Sequence, residues 1–395
     1  MRIFKENRSL LIIALIALVN ALGYGIIIPV LYSYSQKFGL SDFQNGLLFA
    51  LFSVGQFVST PIIGRLSDKY GRRPMLIVSL VGTAVSFLMM AFAPSAMWLF
   101  LARALDGITA GNIPVASAVI SDTTEIKDRA KGFGIIGAAF GFGFIFGPAI
   151  SALTVGYSQS LPFIIAAAIA ILAVVLTALV LPETNKHMGE VREGKLFEFD
   201  KLFHALFDEK VGATLLITLF YSIAFSLFIY AFQPFSVKML HLSPHQISWL
   251  FTMYGVLGLV SQVLLVQRLT RWLGLKQAFR WSWAVVAAAF FLMFLSSKLT
   301  WFVVASVILG VANAVSQPLS QAILSQETDE KSQGSIMGLN GAYMSIGQIL
   351  GPIMGGAVAT IALPYPFLLG SGFTLVCFWL AFKVLKPGVR KESTF

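Results

Sequence analysis

Charged residues are scarce in this chain. Only 12% of its 395 residues are charged, while 57% are hydrophobic. A soluble domain typically has about 25% charged residues because its surface must be hydrated. The composition therefore excludes a soluble globular protein.

Cysteine and histidine are also rare. Cys377 is the one cysteine, and the four histidines lie outside the clearly apolar stretches. These numbers exclude a disulfide framework and a thiolate metal cluster, so we expect no metal and no cofactor. The chain also lacks a phosphate-binding glycine loop and a nucleophile with a paired base. We therefore expect neither an enzyme nor ATP-driven transport, which leaves ion gradients as the energy source.

Long apolar runs are abundant. A helix of about 20 residues crosses the roughly 30 Å of hydrocarbon in a bilayer. The first run resembles a signal peptide at its start, but it extends to about Tyr34 and is interpreted as a membrane helix. Twelve spans are predicted, at approximately 9–34, 44–64, 75–95, 98–120, 131–155, 160–182, 211–236, 246–267, 277–297, 300–325, 335–360 and 365–385.

Lysine and arginine residues predict the orientation of these spans. With a cytoplasmic N-terminus, the outer loops carry only Lys37, Lys238 and Lys298, and nearly all other basic residues lie in inner loops. Cytoplasmic loops of membrane proteins carry such an excess. Both termini are therefore predicted to be cytoplasmic. The same bias accounts for the net charge of +10, so no nucleic-acid partner is expected.

A glycine motif occurs twice with identical spacing, 204 residues apart. Its copies are Gly134, Gly137, Gly143, Gly147 and Pro148, and Gly338, Gly341, Gly347, Gly351 and Pro352. The offset spans six helices, so corresponding helices run in the same direction. The repeat predicts an all-α membrane protein of two pseudo-symmetric six-helix bundles. Small residues let membrane helices approach closely, and these helices serve either as rocking surfaces or in static packing.

The two bundles are assigned to residues 1–182 and 211–395, joined by a linker at 183–210. Within the linker, apolar residues recur at helical spacing among charges; they are Leu196, Phe199, Phe203, Leu206 and Phe207. This pattern predicts an amphipathic helix on the cytoplasmic membrane surface. A helix that binds a partner protein is the alternative.

Three motifs resemble a known family. The loop from Gly64 to Arg73 resembles the signature loop of the major facilitator superfamily. Arg103 with Gly107, and the stretch from Gly137 to Pro148, resemble two signatures of its drug:proton antiporters with twelve spans. Residues 20–31 and 120–124 are similar to those of tetracycline exporters. The resemblance implies a monomer in the bacterial cytoplasmic (inner) membrane.

The resemblance also implies a cytoplasmic gate. In the family, the loop's aspartate and arginines contact neighbouring helix ends and hold the cytoplasmic side closed. Asp68, Arg72 and Arg73 would form such a latch here, with Gly64 and Gly71 permitting tight turns. Alternatively, the arginines only enforce the topology.

The sequence departs from the tetracycline exporters at their membrane carboxylates. Asn20, Ser86 and the apolar run Ala284–Phe291 lie where those exporters are expected to have acidic residues. Protons must therefore be carried elsewhere, which argues against tetracycline as the substrate.

Arg103 and Asp106 are the candidate coupling residues. An ionisable residue inside hydrocarbon costs about 2.5–3.5 kcal/mol on insertion scales, so each one suggests a function. Asp106 is the one acidic residue away from the predicted loops, and Arg103 lies on the same helix face. Asp106 would carry the proton, with an affinity that changes as alternating access changes its surroundings. Alternatively, the two form a constant ion pair or contact substrate directly. The second half has Val307 and Gly310 at these positions.

The substrate cavity is predicted along spans 1, 4, 7 and 10. Its candidate residues are polar or aromatic: Asn20, Tyr24, Asn112, Tyr221, Phe225, Phe228, Gln233, Asn313, Gln317 and Gln321. Aromatic rings with a few amides suit bulky amphipathic compounds. Packing within the bundle or against lipid is the alternative role of these side chains.

These features predict a secondary active transporter that exports amphipathic small molecules in exchange for protons by alternating access. Its expected partners are the small-molecule substrate, protons and the lipid bilayer. Other readings are a dedicated metabolite or siderophore carrier, a uniporter, or a membrane sensor or lipid-handling protein that does not transport.

Overall fold

The computed structural model describes residues 2–124, 129–185, 188–189, 199–329 and 332–384. All regular elements of these residues are α-helices, which satisfy their backbone polar groups internally, as a bilayer requires. In chain order they are α1 Arg2–Ile27, α2 Leu31–Gln36, α3 Asp42–Tyr70, α4 Arg72–Ala91, α5 Ala96–Thr109, α6 Asn112–Thr123, α7 Arg129–Val155, α8 Leu161–Val180, α9 Phe199–Ala205, α10 Gly212–Lys238, α11 Pro244–Leu273, α12 Leu275–Leu295, α13 Leu299–Glu327, α14 Gln333–Ala359 and α15 Tyr365–Leu380.

Ten of the described helices are long and apolar enough to cross a membrane. They include α1, α3, α4, α7 and α8 in the first half of the chain and α10 to α14 in the second. Helix α15 is apolar but has 16 residues. The protein is therefore an all-helical integral membrane protein.

Two of the predicted spans are divided. The first was expected to be one helix over 9–34, but α1 ends at Ile27 and the short helix α2 follows Pro29. A proline removes a backbone donor and disfavours helical geometry in the residue before it. The fourth span, expected over 98–120, is split into α5 and α6 by Ala110 and Gly111. Both single-helix predictions are wrong.

The chain forms two compact units. Unit 1 contains the described parts of residues 1–41, 51–197 and 243–253, and unit 2 those of 42–50, 198–242 and 254–395. Within unit 1, α1 packs on α7 and α8, and α4 packs on α5 and α8. Within unit 2, α10 packs on α14 and α15, and α12 packs on α13 and α15. Corresponding helices therefore pack in the same order.

The two units fill their interiors differently. In unit 1, α8 presents the small buried residues Ala166, Ala170 and Ala173, and α4 packs on this helix. In unit 2, the rings of Phe235 and Phe302 stack with centroids 4.8 Å apart. Fully buried Phe367 meets Phe235 edge to face at 5.2 Å. Small residues at the contact of α4 with α8 in unit 1 thus contrast with the packed aromatic rings of α10, α13 and α15 in unit 2.

The repeated glycines divide into two groups. A Cβ on Gly147 would lie 2.8 Å from the Cα of Gly25, and a Cβ on Gly351 would lie 2.7 Å from the carbonyl oxygen of Ile223. Gly143 and Gly347 make similar close contacts with α1 and α10. Pro148 and Pro352 lie inside α7 and α14.

Gly137 and Gly341 differ from these four glycines. A Cβ on either would meet no described atom within 4 Å, so the structure gives these two no close helix contact. The packing interpretation therefore does not apply to them.

The linker helix ends earlier than predicted, at Ala205 instead of Lys210. Helix α9 covers seven residues, and residues 195–198 of the predicted helix, including Leu196, lie outside the described part. Leu202 and Leu206 pack against a buried cluster of unit 2. Phe203 and Phe207 are 63% and 72% exposed, with ring centroids 5.2 Å apart. Helix α9 and the turn after it are thus amphipathic, with leucines on the buried cluster and phenylalanines exposed.

The glycine contacts of α14 generate a matched pair of variants. Gly351→Val places side-chain atoms against the backbone of Ile223, and overpacking of this kind costs about 1–3 kcal/mol. Gly341→Val changes the same residue type in the same helix but faces open space. We expect the melting temperature of the purified protein to fall by several degrees for Gly351→Val and to change little for Gly341→Val. Equal melting temperatures would contradict the assigned contact.

Candidate functional site

The junction between α3 and α4 is a single residue. Helix α3 continues to Tyr70 and α4 begins at Arg72, so Gly64 lies inside a helix and the tight turn predicted for it is wrong. Gly71 makes the turn with a φ of 103°, a conformation that favours glycine. A Cβ at this position would also collide with the carboxylate of Glu183.

Arg72 is the centre of a polar cluster in unit 1, which we call the junction cluster; it comprises Ser67, Asp68, Arg72, Asp122 and Glu183. The Arg72 Nη1 donates to Asp68 Oδ1 at 2.6 Å and to Ser67 Oγ at 2.7 Å. Its Nε donates to Asp122 Oδ2 at 3.0 Å. One guanidinium thus joins α3 and α4 to the end of α6, using donors that point in different directions.

Glu183 caps the N-terminus of α4. Its Oε1 accepts from the backbone N–H of Arg72 at 2.9 Å, and its Oε2 accepts from that of Arg73 at 3.1 Å. The first N–H groups of a helix have no partner within the helix and carry positive partial charge, so a carboxylate is favoured there. The Arg73 side chain donates to the carbonyl oxygen of Ala178 in α8. The segment after α8 is thereby tied to the α3–α4 junction.

Sequence reasoning missed Asp122 and Glu183 as members of the cluster. Asp122 lies in the stretch 120–124 that resembles the exporters, and Glu183 lies just after a predicted span. Their positions near span ends were the available signal. Their pairing with Arg72 depends on tertiary contacts over 50 and 111 residues.

Arg103 and Asp106 form a buried pair in α5. The two residues are 2% and 6% exposed, and the Arg103 Nη1 lies 3.5 Å from Asp106 Oδ2. Thr83 of α4 donates to Asp106 Oδ1 at 3.1 Å. The guanidinium carbon lies 4.4 Å from the ring centroid of Phe52, in cation–π contact. Within the described residues, Arg103 Nε has no hydrogen-bond partner.

The other predicted polar residues of unit 1 lie along α1 and α6. Asn20 Nδ2 donates to Asn112 Oδ1 at 2.9 Å, which joins the two helices. Tyr24 is partly buried and meets Phe144 of α7 edge to face, with centroids 5.9 Å apart. The structure thus brings Asn20 and Asn112 into direct contact, as candidates for one site.

Unit 2 contains an aromatic cluster, formed by Tyr221, Phe225, Phe228, Tyr254, Trp283 and Phe290. Tyr221 meets Trp283 at 5.1 Å and Phe225 at 5.8 Å, while Phe228 lies 5.4 Å from Tyr254 and 6.2 Å from Phe290. Asn313 Nδ2 donates to the Tyr254 hydroxyl oxygen at 3.1 Å. The cluster gathers three of the predicted residues around one amide.

Tyr254 and Trp283 were missed because they lie in spans 8 and 9, outside the spans expected at the centre. The ring of Tyr254 lies over Gly310, where a Cβ would be 3.1 Å from it. Gly310 occupies the position equivalent to Asp106. A glycine there leaves room for a ring from a neighbouring helix, and this was the available signal in the sequence. Trp283 is fully buried, and its Nε1 has no hydrogen-bond partner in the described part of the chain.

The three predicted glutamines are not part of this cluster. Gln233 is fully buried near the end of α10, whereas Gln317 and Gln321 are exposed on α13. The structure therefore separates them into two environments.

The sequence profile of the Major Facilitator Superfamily matches residues 13–213 and again residues 214–395. The chain belongs to this family. The resemblance of its loop and span motifs is thus confirmed. This protein is a membrane transporter and not an enzyme, and the predicted all-helical membrane fold is confirmed.

Known relatives of this transporter match it over nearly its whole length. It is 31% identical to multidrug resistance protein 1 of Bacillus subtilis, over 99% of this chain and 100% of that protein. It is 31% identical to the class B tetracycline resistance protein of Escherichia coli, over 98% of this chain and 100% of that protein. Its fold matches that of the human organic anion transporter MFSD10, with a TM-score of 0.72 at 22% identity, over 95% and 99% of the two chains.

The junction cluster of the transporter generates a second pair of variants. Arg72→Lys keeps the positive charge, but an ammonium group cannot reach Ser67, Asp68 and Asp122 together. The lost hydrogen bonds to charged groups should cost about 1–3 kcal/mol. We expect a melting temperature several degrees lower, measured in detergent. Arg271→Lys, at an exposed position in α11, is the control and should leave it unchanged. If the melting temperature of Arg72→Lys were also unchanged, Arg72 would act only through its charge.

Proposed function

We propose that this transporter exports amphipathic small molecules, drugs among them, in exchange for protons. Its relatives named for multidrug and tetracycline resistance support export as the direction of transport. The distribution of basic residues supports cytoplasmic termini in a bacterial inner membrane. A monomer that works by alternating access fits the two-unit fold.

The proton is carried by Asp106. This carboxyl group is 6% exposed among packed helices of a membrane protein, where a charge is costly unless it is paired or functional. A permanent ion pair of arginine and carboxylate usually has close, often bidentate, contacts of about 2.7–2.9 Å. The pair with Arg103 has one contact of 3.5 Å. This loose geometry supports a group that gains and loses a proton over one that is always paired.

Arg103 influences how a proton and a cationic substrate compete for Asp106. Its guanidinium is held by the Phe52 ring as well as by Asp106, so it keeps a partner when Asp106 is protonated. Movement of α5 relative to Thr83 or Phe52 would change the stabilisation of the Asp106 carboxylate. A cationic substrate would also stabilise the Asp106 carboxylate and would thereby displace its proton. Asp106 would thus couple proton and substrate binding.

The aromatic cluster of unit 2 contacts the apolar part of the substrate. Its residues are neutral, and the rings of Tyr221, Phe228 and Trp283 are buried. Apolar and aromatic surfaces bind ligands without strict geometry, which suits a range of bulky compounds. Asn313 and the Trp283 indole N–H supply hydrogen bonds at the edge of the rings.

The junction cluster acts as the cytoplasmic latch. Arg72 holds α3, α4 and α6 in one arrangement through Asp68 and Asp122, and Glu183 fixes the segment after α8. These contacts join separate helices at their ends. When the contacts break, the helix ends are free to separate. Gly143, Gly147, Gly347 and Gly351 would let α7 and α14 move closely against α1 and α10.

Proton coupling is tested with Asp106→Asn in everted membrane vesicles. The asparagine keeps the shape and an acceptor for Thr83 but cannot take up a proton. We expect ethidium to collapse an imposed pH gradient in vesicles with the native transporter and not in those with the variant. Asp200→Asn, an exposed carboxylate of α9, is the control and should behave like the native protein.

A gradient that still collapses in Asp106→Asn would place the proton elsewhere and leave Asp106 a structural role. Loss of coupling in both variants would point to a general effect on the protein and would also contradict the assignment.

A further inference from the structure

The break between α5 and α6 is a property of the first half alone. Helix α13, which corresponds to the two helices, runs unbroken from Leu299 to Glu327 although Pro318 lies at the position of Pro114. Proline therefore does not explain the break. Gly111 corresponds to Val315, and a Cβ on Gly111 would collide with the side chain of Ile63. Close packing of α3 against this point thus accompanies the interruption.

Asn112 begins α6 at this break, and its amide has a defined orientation. Its Oδ1 accepts from the backbone N–H of Ile113 at 2.9 Å and from Asn20 Nδ2 at 2.9 Å. A backbone N–H can only donate, so the oxygen of Asn112 must face it. The Nδ2 group must then point away from Ile113.

The Nδ2 of Asn112 is a buried donor without a use in the fold. The residue is 1% exposed, and no described residue accepts a hydrogen bond from this group. An unsatisfied buried donor costs about 1–3 kcal/mol, and most buried polar atoms have partners. The donor is therefore expected to have a partner in another state of the protein.

The surroundings define the chemistry of that partner. Helix α6 has 12 residues, and its N-terminal end favours negative charge and oxygen acceptors. Within α5, nearly two helical turns before the break, Arg103 has a second buried donor, Nε, without a partner among the described residues. Each of the two helices that meet at the break therefore has one buried donor without a partner among the described residues.

We propose that the break between α5 and α6 is a binding subsite for an oxygen acceptor of the exported compound, such as a carbonyl or carboxylate oxygen. Asn112 Nδ2 donates to this oxygen, and the N-terminal end of α6 adds to the favourable potential. The subsite rests on the proposed export of small molecules, but not on the proton carrier. It selects among amphipathic compounds by their oxygen acceptors.

Two probes with different acceptors test the subsite. Norfloxacin carries adjacent keto and carboxylate oxygens, whereas ethidium is an aromatic cation without oxygen. Asn112→Asp retains the oxygen that accepts from Ile113 and Asn20 but replaces the free donor with an acceptor. We expect the dissociation constant of norfloxacin, measured by equilibrium dialysis with the full-length protein in detergent, to rise at least tenfold. Ethidium should bind at least as tightly as before.

Two further variants separate charge and folding from the lost donor. Asn112→Ser is neutral and keeps an oxygen acceptor at the start of α6, and it should also weaken norfloxacin binding. Ser316→Ala changes the equivalent position of α13, where the hydroxyl already donates to the carbonyl oxygen of Ala312 at 2.9 Å. It should alter neither probe. Melting temperatures of all variants identify any loss of folding.

The proposal is overturned if native protein does not bind norfloxacin, if Asn112→Asp binds it normally, or if both probes weaken equally in a folded variant. It stands if norfloxacin alone weakens, even when the vesicle assay shows no proton coupling. Failure of the subsite and failure of the proton carrier are thus distinguishable.

Discussion

The cost of placing charge in hydrocarbon is the constraint on which this structure depends. A polar group inside a span must find its partner within the helix bundle or in a bound ligand, because lipid offers none. Arg103 meets this requirement with Asp106 and the face of Phe52. Arg72, at a helix end, meets it with Asp68, Ser67 and Asp122. The guanidinium of Arg103 is loosely held, whereas that of Arg72 is tightly held.

The two units share a packing order and differ in chemistry. Both pack their first and fifth spans together and their third span on the fourth and sixth. Unit 1 carries the buried ion pair and the broken fourth span, whereas unit 2 has Gly310 and an unbroken α13 at those places. The space left by Gly310 is occupied by the ring of Tyr254. The two related units thus differ in their buried chemistry: unit 1 contains a buried ion pair, and unit 2 contains a cluster of aromatic rings.

Much of the candidate site was accessible from the sequence. Asp106 and Arg103 were found because a charge is conspicuous in an apolar run, and Arg72 because the loop resembles a family signature. Asp122, Glu183, Tyr254 and Trp283 were not found. Their residue types are common at span ends or in apolar helices, so only their contacts distinguish them. Gly64 was misassigned because a glycine in a motif does not show whether the helix has already ended.

The sequence by itself determined that this protein is a membrane transporter of two related halves, since composition, apolar length and repeat are properties that need no contacts. Only the tertiary structure decided which polar atoms are paired and where a span is broken. Arg72 reaches Asp122 over 50 residues, and Ile63 presses on Gly111 from another helix. Such pairings depend on how helices rotate and approach when they pack, and hydrophobic periodicity does not specify that rotation for helices that are apolar on all sides.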